Sequence, residues 1–363
     1  VRRSWLVVSA IVGLGACTLI DQPTSYFDPE QGPGSIVTLA AVTTEAVKAL
    51  ALTTNAVVYA TSDAVFRVPK SGGNVESLAM FDGGDLVALA SDGQSRVAWC
   101  STSIGITTWD DATSTPTLIA DSESCETLAI SADRLVYTIA NANSDGTTAR
   151  FVNYQSTDGA VSPSGGFPLS VGEVTRSALA LTTSDVYYVT QGGALAREIL
   201  PTDLSGSPVG APACWLGVGG SDPSAVLVGT SGDADVAMMA STDTDIMSAT
   251  GQSRCCDPLA DGGAAACPPM THWISVYTGR IATYADSGAL WWITDEALLR
   301  FQLTDLLGEE APLAALGGLD GGTPLRDDLT SAINLAVDDT YAFFTSYNQT
   351  SRFFQVQRLQ LTP

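Results

Sequence analysis

Seven times between Leu50 and Val356 this chain passes through the same order of short apolar runs. In the first copy they are Leu50-Ala51-Leu52, Val57-Val58-Tyr59 and Val65-Phe66-Arg67-Val68-Pro69, with Gly72-Gly73 after the third. The fourth copy repeats them as Leu179-Ala180-Leu181, Val186-Tyr187-Tyr188 and Leu195-Ala196-Arg197-Glu198-Ile199. The second (Val87-Ala88-Leu89, Val97-Ala98-Trp99), third (Leu128-Ala129-Ile130, Leu135-Val136-Tyr137) and fifth (Val226-Leu227-Val228, Val236-Ala237-Met238) copies are looser. The sixth carries Leu290-Trp291-Trp292 and Leu298-Leu299-Arg300-Phe301, and the seventh Leu335-Ala336-Val337, Tyr341-Ala342-Phe343-Phe344 and Phe353-Phe354-Gln355-Val356. Runs this short, rich in β-branched and aromatic residues and separated by turn formers, are strands, because side chains on a strand alternate between its two faces. Helical periodicity is hard to find in residues 36–363.

A fourth run lies between copies, Val75-Glu76-Ser77-Leu78 before the second and Thr117-Leu118-Ile119 before the third. Units of four strands, spaced about 37 to 56 residues apart, have the size of propeller blades. Ile36-Val37-Thr38-Leu39 stands before the first copy as Val75 to Leu78 stands before the second, whereas the seventh copy has only three clear strands. Joining these two overhangs completes the last blade and removes an open sheet edge. The expected fold is therefore all-β, a seven-bladed β-propeller closed by an N-terminal strand. A tandem of β-sandwiches leaves the matching overhangs unexplained. Asp82-Gly83, Asp92-Gly93, Asp145-Gly146, Asp158-Gly159 and Asp320-Gly321 suit hairpin turns.

Ahead of the repeats, Val1-Arg2-Arg3-Ser4 is a short basic segment and Trp5 to Ala16 is apolar and uncharged. That is the layout of an export signal, too short to span a bilayer as a helix. It ends in Leu14-Gly15-Ala16-Cys17, which resembles the bacterial lipobox. The resemblance implies acylation of Cys17 and cleavage before it, with residues 1–16 as signal peptide. Residues 17–35, rich in proline and turn formers, read as a tether, and residues 36–363 as the propeller. Thr18, in the place where an aspartate commonly retains such proteins in the inner membrane, favours the outer membrane, on its periplasmic side or at the cell surface. Taken together, lipobox and repeats resemble bacterial β-propeller lipoproteins with YWTD/TolB-like repeats. That resemblance implies an architecture but specifies no activity.

With 39 acidic against 16 basic residues the chain carries a net charge of −23, so nucleic acid, which proteins hold through lysine and arginine on phosphates, is not an expected partner. The expected partners are the membrane, through the lipid anchor, and an unknown protein or small-molecule ligand. Cys100, Cys125, Cys214, Cys255, Cys256 and Cys267 form an even set in an exported chain and are disulfide candidates. A bridge from Cys100 to Cys125 would tie neighbouring blades, and Cys214 is expected to join Cys255 or Cys256. A zinc site from Cys255, Cys256, Cys267 and His272 is the alternative.

The single histidine, His272, removes two-histidine metal motifs and most histidine acid-base schemes. Asn141-Ala142-Asn143-Ser144-Asp145-Gly146 resembles the start of a calcium loop, but Val152 stands where a glutamate ligand belongs. Asp233, Asp235, Asp243 and Asp245 are a second calcium candidate, set against ordinary turn acids. Trp291-Trp292 reads as core packing rather than a sugar platform. No catalytic residue, cofactor or metal is therefore assigned. The expected function is a binding scaffold without enzymatic activity. The alternative is a propeller enzyme acting on carbohydrate or another periplasmic metabolite through carboxylates or a bound cofactor. Acids and aromatics converging at one mouth of the ring would favour the enzyme, and an axis lined by small residues the scaffold.

Overall fold

The computed structural model describes residues 35–140 apart from 43–44, 114, 121–124 and 133, the strand segments between 147 and 326, and residues 332–361. Within 147–326 it describes the strand backbones and a minority of their side chains. Every regular element among the described residues is a strand. The chain opens with β1 (Ile36–Val42). Sheet one is β2 (Ala49–Leu52), β3 (Ala56–Ala60), β4 (Ala64–Pro69) and β5 (Glu76–Met80). Sheet two is β6 (Leu86–Ser91), β7 (Arg96–Ser101), β8 (Gly105–Asp110) and β9 (Thr117–Ala120). Sheet three is β10 (Cys125–Ile130), β11 (Arg134–Ala140), β12 (Thr147–Asn153) and β13 (Ser164–Pro168). Sheet four is β14 (Val174–Leu181), β15 (Asp185–Thr190), β16 (Ala194–Ile199) and β17 (Cys214–Val218). Sheet five is β18 (Pro223–Ser231), β19 (Ala234–Ser241), β20 (Asp245–Thr250) and β21 (Thr271–Ile274). Sheet six is β22 (Gly279–Thr283), β23 (Ala289–Thr294), β24 (Leu298–Gln302) and β25 (Thr323–Arg326). Sheet seven joins β26 (Ala332–Val337), β27 (Tyr341–Asn348) and β28 (Phe353–Gln360) to β1.

All strand pairs within these sheets are antiparallel, and sheets one to six are meanders of four consecutive strands. In sheet seven β1 lies on the outer side of β28, with Ile36 opposite Leu359 and Val42 opposite Phe354. The two overhangs seen in the sequence thus pair with each other. First strands neighbour one another in chain order, β2 beside β6, β6 beside β10, and so on to β22 beside β26, and β26 lies beside β2.

Packing follows the two-residue period. Along β3, Val57 and Tyr59 join the core shared with sheet seven, where they meet Leu39, Phe343 and Val356. Val58 and Ala60 join the core shared with sheet two, with Trp99 and Trp109. Along β7 the same division sends Val97 and Trp99 to sheet one, and Ala98 and Cys100 to sheet three. The second strand β3 is therefore apolar on both faces and buried throughout, whereas β5 is largely exposed. Burial also keeps the Tyr59 phenol protonated, its pKa pushed far above the usual value.

The turn between first and second strands has a recurring chemical cause. Thr53, Thr182 and Asp338 each donate their backbone N–H to the carbonyl three residues on, and their side-chain oxygens accept the returning N–H of Ala56 (3.0 Å), Asp185 (3.0 Å) and Tyr341 (2.7 Å). Side chains of this kind stabilise such turns by standing in for a backbone partner. Sheet two uses a longer version, in which Asp92 accepts from Gln94, Ser95 and Arg96, and Gly93 takes a φ of +73° that suits glycine.

Two expectations need correction. Asp82-Gly83 is not a hairpin turn: it lies in the connection from β5 to β6, since a positive-φ glycine such as Gly83 marks a sharp bend without fixing which strands it joins. The sixth copy begins earlier than its clear apolar runs, with the short strand β22.

Candidate functional site

The meanders sort their loops onto two faces. On one, the hairpins between second and third strands meet the connections between sheets: Phe81 donates its N–H to Asp63, Leu86 to Ser62 and Thr102 to Asp85. On the other, the turns between first and second strands meet the segments that follow third strands: Lys70 donates its N–H to Asn55, Asp111 to Ser95 and Leu361 to Thr340.

The first face carries an acidic group. Lys48 Nζ lies 2.6 Å from Asp85 Oδ1, with both side chains well exposed, so solvent screens the pair and it adds little stability. Ser62 Oγ donates to Glu45 Oε2 at 3.2 Å, and Thr61 Oγ1 donates to Asp63 Oδ1 at 2.7 Å. The Thr61 hydroxyl holds the Asp63 carboxyl below its usual range, and the Glu45 carboxyl adds to the effect against a desolvation penalty. A carboxyl depressed in this way is ionised near neutral pH and accepts hydrogen bonds rather than donating a proton. Its linkage has a definite sign: the stabilisation is present above the unfolded carboxyl pKa and is lost as pH falls through the folded one. In Thr61→Val, which removes the hydroxyl and keeps the shape, the Asp63 pKa should rise towards 3.8. A carboxyl-carbon NMR titration will measure it, and an unmoved Asp63 would refute the assignment of cause.

The first strands form one edge of each sheet and lie beside one another. Their sequences, ALAL in β2, LVALAS in β6, CETLAI in β10 and AINLAV in β26, are mostly small and aliphatic, apart from Glu126 and Asn334. Across all seven first strands the charged residues are Glu126, Arg176 and Arg280. Asn334 on β26 donates from Nδ2 to the carbonyl of Val47 at 2.8 Å, linking sheet seven to the entry of sheet one. Among the described residues no group of three or more His, Cys, Asp and Glu side chains could hold a metal ion.

Cys100, on the second strand of sheet two, is bonded to Cys125, on the first strand of sheet three, with their Cα atoms 6.4 Å apart. Both are buried in the core between these sheets. Cys214 is the first residue of β17, opposite Arg197 at the backbone. Cys17, Cys255, Cys256 and Cys267 lie outside the described residues, as do the loop 141–146, Asp233 and Asp243. His272 sits on β21 opposite Met247.

The four-aspartate calcium candidate is corrected by the register. Asp235 pairs with Thr230 beside the turn between first and second strands, whereas Asp245 pairs with Ile274 at the opposite end of the β19–β20 hairpin. The register puts Asp245 beside Ser241, six residues along β19 from Asp235, a separation of roughly 20 Å at about 3.4 Å per residue, too far for one ion to bind both. Trp291 is buried in the core between sheets six and seven, with the Arg300 guanidinium 5.2 Å from its ring centroid, which makes it a packing residue.

Sequence reading missed a recurring arginine. Arg67, Arg197, Arg300 and Arg358 occupy one register position on their third strands, opposite Val58, Tyr187, Trp291 and Phe343. In each sheet the facing residue is the next after the one paired with the last residue of the first strand. The signal was available, because three of these arginines stand within the third apolar runs of the first, fourth and sixth copies.

No family model matches the chain, and no curated protein matches it. Among solved structures it has a distant likeness to PorZ, described as an essential bacterial surface component of the type-IX secretion system of Porphyromonas gingivalis. The identity is 13% and the TM-score 0.49, over 86% of this chain and 36% of PorZ, so the chain spans about a third of that protein. The computationally designed Ika8 protein is also 13% identical, with a TM-score of 0.51 over 90% of this chain and 99% of Ika8. At such identity the likeness to Ika8 concerns the fold alone.

Proposed function

We propose that this chain is an extracytoplasmic lipoprotein, anchored through acylated Cys17, whose seven sheets are the blades of a closed β-propeller acting as a non-enzymatic binding scaffold. In this reading residues 1–16 are the signal, 17–35 the tether and 36–363 the ring. The ring is supported by the sequential neighbouring of first strands, by the return of β26 to β2, and by β1 completing the last sheet. A single row of sheets with two ends would leave β26 and β2 far apart.

The observation that carries the exported reading is the buried Cys100–Cys125 bridge across two sheets, because structural disulfides persist in oxidising compartments outside the cytosol. The scaffold reading is supported by inner strands of alanine, leucine and valine, which supply shape to the axis and few groups for acid-base chemistry. Its partner is a protein or small ligand held on the loop faces, and its place is the cell envelope, at the outer membrane.

The test is expression of the full chain in a diderm bacterium fed a clickable palmitate analogue. The unaltered protein should take up label and sediment with membranes, and Cys17→Ser should lose both properties. Unlabelled protein, or membrane association that ignores Cys17, would reject the anchor. Crosslinking in the intact envelope should then recover a defined complex.

A further inference from the structure

The residue three positions beyond the recurring arginine position has the same backbone role wherever it is described. Lys70 in sheet one, Asp111 in sheet two and Leu361 in sheet seven each donate the backbone N–H to the last residue of their own first turn, Asn55, Ser95 and Thr340. Their side chains differ completely, and each meets the preceding sheet. Leu361 packs with Trp291 of sheet six. Asp111 meets sheet one: its carboxylate accepts from Asn55 Nδ2 at 3.2 Å and Thr53 Oγ1 at 3.4 Å, and pairs with Arg67 Nη1 at 3.3 Å. Lys70 meets sheet seven: its Nζ lies 2.6 Å from Asp338 Oδ2, and both side chains are about 15% exposed (15% and 14%).

Asp338 holds in sheet seven the turn position that Thr53 holds in sheet one, and Arg358 holds the strand position of Arg67. The seam between sheets one and two thus sets an anion against a hydroxyl, an amide and an arginine. At the seam between sheets seven and one, the same places carry a cation against a carboxylate. There Arg358 Nη1 donates to the backbone carbonyl of Lys70 at 2.7 Å and the Arg358 Cζ lies 4.6 Å from the Tyr341 ring centroid, while Lys70 Nζ lies 5.5 Å from that of Phe343.

We propose that the Lys70–Asp338 pair is a seam-specific latch, which holds the first complete sheet against the last and refuses the other neighbours these repeats could accept. The reason is electrostatic. If sheet one met a turn of the Thr53 type, Lys70 would be desolvated without an anion. If sheet two met the Asp338 turn, Asp111 would face a like charge. Both mismatches are costly at half-buried positions, so charge complementarity selects the partner. The proposal rests on the closed-ring reading.

The test transplants one seam onto the other in the full chain, read by hydrogen exchange of the β1 and β28 amides with those of β7 and β8 as internal control. Lys70→Asp alone sets a second carboxylate against Asp338 and should speed β1 and β28 exchange by about tenfold, the size of a coupled pair, leaving β7 and β8 unchanged. Asp338→Thr keeps the side-chain oxygen that closes the turn. Alone, however, it leaves Lys70 without its anion, whereas the double variant rebuilds the Asp111–Thr53–Arg67 set with Arg358 as its arginine, so the double variant should exchange more slowly than either single variant. Should Lys70→Asp fail to fold, a folded double variant supports the latch and an unfolded one overturns it. Additive effects of the two changes also overturn it. Unprotected β1 amides in the unaltered chain would overturn the closed ring itself, whereas protected amides indifferent to all three variants would overturn the latch alone.

Discussion

A chain lacking residues 36–42 should lose about 5 kcal/mol of stability and begin to self-associate. Leu39, Ala40 and Val42 are buried in the core shared by sheets seven and one. Burying an aliphatic side chain of the size of leucine or valine contributes about 1.5 to 3 kcal/mol. Removing β1 discards two such side chains and part of a third, Val37, which packs against the same core. It also uncovers Val356 and Leu359 on β28 and frees the backbone groups that β1 had paired. An unpaired, partly apolar strand edge recruits other chains. Denaturant titration should therefore show a lower midpoint, and size exclusion should show oligomers that a synthetic 36–42 peptide, added in excess, dissolves. A monomeric truncation with an unchanged midpoint would mean that β1 contributes nothing to the last sheet. It would also remove the main support for closure.

This strand was legible in the sequence because Ile36-Val37-Thr38-Leu39 had no partner of its own and matched the outer run of another copy. Second strands were legible for a related reason. Pressed between two neighbours, they must be apolar on both faces, and AVVYA and RVAWCS carry that pattern openly. Strands that meet solvent carry less of it. The outer strand ESLAM was legible only through the run Val75 to Leu78, which ends two residues before the strand does, and the strand GRIAT of sheet six combines a glycine, an arginine and a threonine. The seams were not legible at all. Lys70 and Asp338 are 268 residues apart, and no local pattern reports that they meet. Only the register of seven sheets reveals that Lys70, Asp111 and Leu361 share one place. The aspartates of sheet five show the converse: nearness in sequence left an ion site open beside the plainer reading of turn acids, and a hairpin's length sets Asp235 and Asp245 apart.

Replacing Cys100 and Cys125 together by alanine should cost about 3.5 kcal/mol, from the chain-entropy value of a bridge spanning 25 residues. The effect should be mainly one of the unfolded chain, because the bridge restricts what that chain can explore. Alanine also leaves a gap in the core, where Cys100 and Cys125 pack with Ile106, Ile119 and Tyr137, so the measured loss should not fall below the entropic value. The entropic part of that loss, without the gap, should appear in the unaltered protein once it is unfolded, reduced and refolded without an oxidant. Native protein, by contrast, should resist a thiol reductant, since attack needs a thiolate to reach a sulfur and both cysteines are shielded by the sheets. Mass spectrometry after alkylation will follow this: the two thiols should become reactive together, at denaturant concentrations that separate sheets two and three. Rapid alkylation of either cysteine under native conditions would contradict the buried bridge. So would a double variant as stable as the unaltered chain, and the case for an oxidising compartment would then rest on the N-terminal motif alone.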